Sequence, residues 1–457
     1  MGSPSRQGLS LRLSWPYAGD RRRAIVGKSP LHVPKLASRN PHAGDTHIVQ
    51  VSQRDMEMHY YLSHLAPNER IRPAWDIRAE WNPANTQAGD QDLIQYFQLA
   101  ASRSLATFGR DPAELGNVVI RIALARNTAS STALFHSLLA LSSLHRHDDN
   151  PQAVELKILA LEGLTAASGK HMDTTEAIQH VATNMLLCSL EIHQLSCSSG
   201  DWTCYLRSAK DMIQAAGLDE LHHDNSDLAA LLDWVYYHDV LARFSQRHWH
   251  RESKGNGPSP SPTPSKTASP PLALIELLSE VCDAVNSAHL PSMTSAEQDD
   301  YKSFLKILDW RIRSIELPAT ADGNADASLG MELYRLAMLV YLSRASDSTT
   351  NLRNQSTRRT QQHIDQAFAI LARLGSCDRQ FPVFILGCEA RSDDQRAVVL
   401  DLISRTEKGH SSRSLNLVRL LLQAIWAQDE LGIKGDMNYW DKLSYIISCC
   451  KILPAFV

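Results

Sequence analysis

Three apolar periodicities follow one another between Ser131 and Leu218, and they restrict this chain to helix-on-helix packing. Leu134, Leu138, Leu141 and His145 recur at i, i+4, i+7 and i+11. Ile178, Val181, Met185, Cys188, Ile192 and Leu195 recur at i, i+3, i+7, i+10, i+14 and i+17, and Leu206, Ala209, Ile213 and Ala216 repeat the theme. This is the 3.6-residue period of amphipathic helices. A strand would need an apolar residue at every second position, and no convincing series of that kind appears. Asp201 reads as an N-cap before Trp202, and Gly217 as a left-handed helix stop. On this pattern Val181 faces the core, whereas Gln179, off the stripe, projects toward solvent.

The bulk numbers narrow the class without naming a function. A chain of 457 residues can bury a large core and by length alone holds up to about three domains. A net charge of −4 spreads no basic field over the molecule, so its total charge does not advertise nucleic-acid binding. Eight scattered cysteines form no disulfide framework, and Cys188 sits on an apolar stripe, so buried thiols in a reducing compartment are expected. The first residues lack the uninterrupted apolar core of a secretory signal. Runs such as Leu336–Leu342 fall far short of the ~20 residues a membrane helix needs, so no membrane partner is expected.

Along the chain, residues 1–90 read as a basic, largely disordered arm. Arg6, Arg12, Arg21, Arg22, Arg23, Lys28, Lys35 and Arg39 face a single early acid, Asp20. Residues 91–457 read as one large helical domain. Leu93, Ile94, Tyr96, Phe97 and Leu105 suggest its first helix. Val118–Leu124 is a second apolar segment. Pro151 opens another at its first position, with Val154, Ile158 and Leu161 as its stripe. Leu228, Leu231, Leu232, Val235, Tyr236 and Val240 mark a further one. Residues 252–271 break the pattern, with six prolines among Ser, Thr, Gly and Lys, and read as a linker-like insertion on the domain's surface. Helical pattern returns from Leu272 to Ile315, from Met331 to Arg344 and from His363 to Leu374. Ala319–Leu329 and Ser346–Thr360 read as loops. Leu415, Val418, Leu422 and Ile425 form a late stripe, and Trp440, Leu443, Ile447 and Cys450 another. No fixed-period repeat supports a solenoid. The expected fold class is all-α.

Several of these stretches also resemble a known family. Leu186–Ile192, a short polar loop and then Trp202-x-x-Tyr205-Leu206-x-x-Ala209 form the first. Trp234–Ala242 follows, with an aromatic pair before Asp239. Phe381–Ala390, Arg396, Ala424-Ile425-Trp426 with Asp429, Trp440 and Leu453-Pro454-Ala455-Phe456 complete the series. In order and spacing they resemble the fungal-specific transcription factor domain, the helical regulatory region of zinc binuclear-cluster transcription factors. Leu11–Pro16 and Gly19–Gly27 resemble the segment that follows the cluster in those proteins. The resemblance implies a regulatory module in a fungal nucleus that receives a signal, a small-molecule effector among the options. It further implies that the module passes the signal to protein partners of the transcription machinery or to a second copy of itself. The cluster itself is missing from this sequence: no cysteines stand in C-x2-C groupings. The chain is therefore expected to lack the DNA-binding module and to touch DNA only weakly and non-specifically.

Other chemistry finds little support. Gly27-Lys28-Ser29 ends like a phosphate-binding loop, but Arg22 stands where that loop needs glycine and Pro30 follows. There is no G-x-S-x-G elbow and no H-E-x-x-H helix. His145 with His147, and His248 with His250, are two residues apart and do not share a helical face, so no metal site or cofactor is expected. Arg21, Arg22 and Arg23 are candidates for nuclear import or phosphate contact, against a merely solvated arm. Trp202, Trp234 and Asp239 are candidates for lining a ligand cavity, against core packing for the tryptophans and a hydrogen-bonded structural role for the carboxylate. The leading reading is a transcriptional regulator that is not an enzyme. The alternatives are a partner-binding regulator without DNA binding, or a metabolite-binding or enzymatic protein recruited from the same scaffold.

Overall fold

Local signals open and close the helices where short-range chemistry can act. In a computed structural model that describes residues 90–457, Asp173 caps the helix that follows. Its carboxylate accepts from the Glu176 amide at 2.8 Å, while the Glu176 side chain accepts from the Asp173 amide. Asp111 caps another, with Pro112 in the first turn. Gly217 has φ of +61°, the left-handed conformation expected of it. Asp201 does not act as a cap: its backbone is already helical and its side chain makes no capping bond. The connecting stretches 109–110, 126–127, 147–150, 169–171, 195–200, 222–224, 250–269, 288–294, 318–324, 348–352, 410–413 and 432–438 lie outside the described residues. So do residues 1–89, and with them the arm and Arg21, Arg22 and Arg23.

The described residues form α-helices and no β-strand, so the fold is all-α. The first half holds α1 (Asp90–Leu99), a 3-10 turn (Ala101–Ser104), α2 (Pro112–Leu124), α3 (Ala129–Arg146), α4 (Pro151–Ser168) and α5 (Thr174–His193). It continues with α6 (Trp202–Ala215), the short α7 (Leu218–Leu221) and α8 (Ser226–Trp249). The second half holds α9 (Pro270–Ser287), α10 (Ser295–Ser314), α11 (Ala325–Asp347) and α12 (Arg353–Arg373). It ends with α13 (Gln380–Gly387), α14 (Asp393–Gly409), α15 (Ser414–Leu431) and α16 (Tyr439–Ser448). Pro270 and Pro271, grouped with the insertion in the sequence reading, open α9, a position proline tolerates. Ala325–Leu329 and Arg353–Thr360, read as loop, are the polar first turns of α11 and α12. Among the described residues no helix is long and apolar enough to cross a membrane.

The packing corrects two facing assignments. α5 is wrapped by α2, α3, α4, α6 and α8, so it has almost no solvent side. Val181 is buried as expected, but Gln179 is buried too. Its Nε2 donates to the Ile122 carbonyl at 3.0 Å, and its Oε1 accepts from Thr128 Oγ1 at 3.0 Å. A polar residue off the stripe thus serves the end of α2 and the start of α3, which leave backbone groups to be satisfied. On α4 the predicted stripe points outward: Val154 and Ile158 are 47% and 50% exposed. The inward residues are Ala153, Leu156, Ala160 and Ala167. α4 lies so close to α3 that a Cβ on Gly163 would meet the Ala133 backbone at 3.2 Å, so small residues, not large ones, fill that seam.

α8 and α11 run through the middle and collect the late elements. Phe244 of α8 meets Tyr341 of α11, Phe381 of α13 and Phe456 of the tail, edge to face at 5.1–5.5 Å. The family-like motifs turn out to be joints of this packing. Trp426 donates to the Gly387 carbonyl at 2.9 Å, Arg396 pairs with Glu430 at 2.7 Å, and Arg344 holds Glu389 at 2.9 Å. Leu453–Val457 is buried in the same core, and Trp202 donates to the Leu453 carbonyl at 3.0 Å. α8 and α9, which flank the proline-rich stretch, pack on each other, and Arg243 reaches Ser279 at 2.8 Å.

Candidate functional site

A small chamber with a few polar groups in a mainly apolar wall lies where the end of α5 meets α8 and the entry to α13. Its walls come from four parts of the chain: Ser189 and His193 of α5, Arg103 and Ser104 of the first turn, His238 of α8, and Asp378 with Gln380. Leu105, Ile192 and Val457 supply apolar wall. Ser189 and His193 are one helical turn apart and therefore share a face.

The backbone fixes both histidine tautomers. His193 Nε2 lies 3.1 Å from the Ser104 carbonyl, which can only accept, so the proton sits on Nε2 and Nδ1 keeps a lone pair. His238 Nδ1 lies 3.0 Å from the Trp234 carbonyl, so Nε2 keeps its lone pair. Both rings are neutral at pH 7. Burial lowers His193 below the usual imidazole range, opposed in part by its bond to Ser104. Burial pushes His238 down to about 4, against the pull of its bond to Trp234 and with help from the neighbouring His193. His193 Nδ1 and Ser189 Oγ are buried without a hydrogen-bond partner. They therefore do not bond each other, so the serine is not activated as a nucleophile by that histidine. The chamber offers imidazole lone pairs and a hydroxyl, a set that receives hydroxyl or N–H donors. Its volume is about 30 Å³, room for one to a few waters.

The residues singled out in the sequence sit elsewhere. Trp202 is spent on the Leu453 carbonyl. Asp239 is held by Lys210 at 2.6 Å and Arg243 at 3.4 Å. Trp234 comes nearest, edge-on to His238 at 6.0 Å and giving it the carbonyl that sets its tautomer. His145 bonds Tyr96 at 2.9 Å, and His248 bonds Ser444 and Tyr341, both at 2.9 Å. His147 and His250 lie outside the described residues. Among the described residues no group of three His, Cys, Asp or Glu side chains is placed to share a metal ion. Ser189, His193 and His238 were not singled out as site residues in the sequence; their one signal was histidines within largely buried helices, which also carry His180 and His248.

Residues 92–449, from α1 to α16, match the family model described as the fungal specific transcription factor domain. The chain belongs to this family. It is also 47% identical over 388 residues to "Transcription factor iacI" of Pestalotiopsis fici, a match covering 84% of this chain and 99% of that protein. No solved structure matches. Membership makes the chain a fungal transcriptional regulator, and the joints at Gly387, Glu389, Arg396 and Trp426 lie inside the matched stretch.

Proposed function

We propose that this chain regulates transcription of a fungal pathway from the nucleus through its helical domain. In this reading it reaches target genes through protein partners rather than through sequence-specific DNA contacts of its own. The match across α1–α16, together with the relative's name, carries this reading. The chamber is the place for a small-molecule effector bearing hydroxyl or N–H donors. At about 30 Å³ it is closed to such a molecule, since ligand pockets are roughly 300 Å³ or more. Entry requires a wall to move, and Val457 belongs to the tail that the Trp202 hydrogen bond to the Leu453 carbonyl holds in place.

The test is a tethered reporter. Fused to a DNA-binding module of known specificity, the chain changes reporter output, while the chain alone leaves no sequence-specific footprint. Its own DNA affinity is salt-sensitive and weak, with Kd on the order of 10⁻⁴–10⁻⁶ M. An inert tethered fusion would refute the regulatory role, and a nanomolar, sequence-selective footprint would refute the partner-borne route.

A further inference from the structure

The segment Leu453–Val457 belongs to the core by burial but not by bonding. All five residues are buried, yet they form neither helix nor strand. Among the described residues, the one hydrogen bond they make is accepted by the Leu453 carbonyl from Trp202 Nε1 at 3.0 Å. Pro454 has no N–H to give. Buried backbone groups are ordinarily paired, because an unpaired one costs free energy, so this segment is weakly tied for its depth.

Phe456 adds strain. Its φ of +55° lies in the left-handed region, where the Cβ of an L-residue crowds its own backbone. The ring is nevertheless seated against Phe384 at 4.6 Å and Phe244 at 5.4 Å. These aromatic contacts hold a backbone that relaxes on release. Strain of this kind persists only where the surroundings impose it, and it collects at switch regions.

The point of bending is marked as well. Trp249 donates to the Cys450 carbonyl at 3.1 Å and fixes the chain there. Lys451 and Ile452 then form a bend, the first exposed and the second half-buried. Beyond the bend, the Trp202 bond and apolar contact are what oppose lifting. Val457, at the far end, shares the chamber wall with His193 and His238.

We propose that Leu453–Val457 is a lid on the chamber: it swings on Lys451–Ile452 while the helices stay folded, and its lifting admits small molecules bearing hydroxyl or N–H donors. What the opening serves rests on the reading of the chamber as an effector site. The opening itself does not, and it is measured without an effector.

Diethyl pyrocarbonate acylates the lone pair of a neutral imidazole and is too large for a closed chamber of about 30 Å³. His238 is neutral at pH 7, so its acylation on the full chain, read by peptide mass spectrometry, reports access. His238 should react slowly, with a far shallower dependence on low urea than global unfolding has. Trp202→Phe should speed His238 about fivefold, the weight of one ordinary hydrogen bond, and leave buried His180 of α5 unchanged. Phe456→Ala and Phe456→Gly both lose the ring, but only glycine takes the left-handed backbone freely. His238 should therefore react about threefold more slowly in the glycine variant. A His238 that stays unreactive in the parent and in Trp202→Phe overturns the proposal. So does a reaction that tracks global unfolding in urea, or one that Trp202→Phe leaves unchanged. Should Trp202→Phe speed His180 too, the Phe456 pair decides, and an alanine lid as well closed as the glycine one overturns the proposal. If the lid opens as expected but no hydroxyl- or N–H-bearing compound alters the His238 rate, the lid stands and the effector reading alone fails.

Discussion

Replacing Gln179 by alanine tests the packing of α5 where it departs most from the sequence pattern. The substitution removes the donor to the Ile122 carbonyl and the acceptor for the Thr128 hydroxyl. The Ile122 carbonyl then keeps, among the described residues, only the Ala125 amide at 3.4 Å, so the lost hydrogen bond costs about 1 kcal/mol, and the part-buried Thr128 hydroxyl, which still accepts from the Ser131 amide, adds less because water can reach it. The vacated side-chain volume adds to this, and alanine's better helix propensity returns only a few tenths of a kcal/mol. The expected loss is about 2–3 kcal/mol, a large part of a typical margin of ~5–15 kcal/mol. For a large domain, at about 2 °C per kcal/mol, that is a fall in Tm of about 4–6 °C. Gln179→Asp should cost more, because it leaves a carboxylate in the same site. Val181→Asp, at a fully buried apolar position, should be as damaging. Exposed Glu162 on α4 is the control: Glu162→Ala should change stability by no more than about 0.5 kcal/mol. Thermal melts followed by far-ultraviolet circular dichroism measure all four. If Gln179→Ala melts with Glu162→Ala, the residue faces solvent as its period suggests, and the enclosed placement of α5 is wrong.

Other consequences can be measured on the same protein. His238 is held near 4 when folded but titrates near 6.5 unfolded, so the unfolded chain binds more protons between those values and stability falls as pH drops below about 6.5. At pH 5 the loss from this residue is about 2 kcal/mol, and His238→Gln should flatten that part of the Tm–pH curve. Gly163→Ala should destabilise by about 1–3 kcal/mol despite a helix-propensity gain of up to about 1, because the new Cβ meets the Ala133 backbone, which cannot swing aside; urea titration gives the sign. Trp202→Phe removes the donor to the Leu453 carbonyl and should speed amide hydrogen exchange in Leu453–Val457, leaving α3 and α4 unchanged.

Local chemistry and composition were enough to establish that the chain is helical and where many helices begin and end. Pro151 at the head of α4 and Gly217 at φ of +61° act within a turn of the backbone and need no distant partner, whereas the Asp173–Glu176 capping box, equally local, was not singled out and Asp201 failed as a cap. The order of the motifs likewise carried the family. Which face turns inward was decided only by tertiary packing, because a stripe reveals a core side only when a helix has one neighbour and one solvent face. α5 has neighbours all round, so Gln179 is buried beside Val181. α4 has apolar residues on two sides, and the close approach of α3 chose the small ones, leaving Val154 and Ile158 outside. The chamber was invisible for a related reason. Ser104, Ser189, His193, His238 and Gln380 are scattered over more than half the chain, and only the crossing of α5, α8 and the start of α13 brings them to one place.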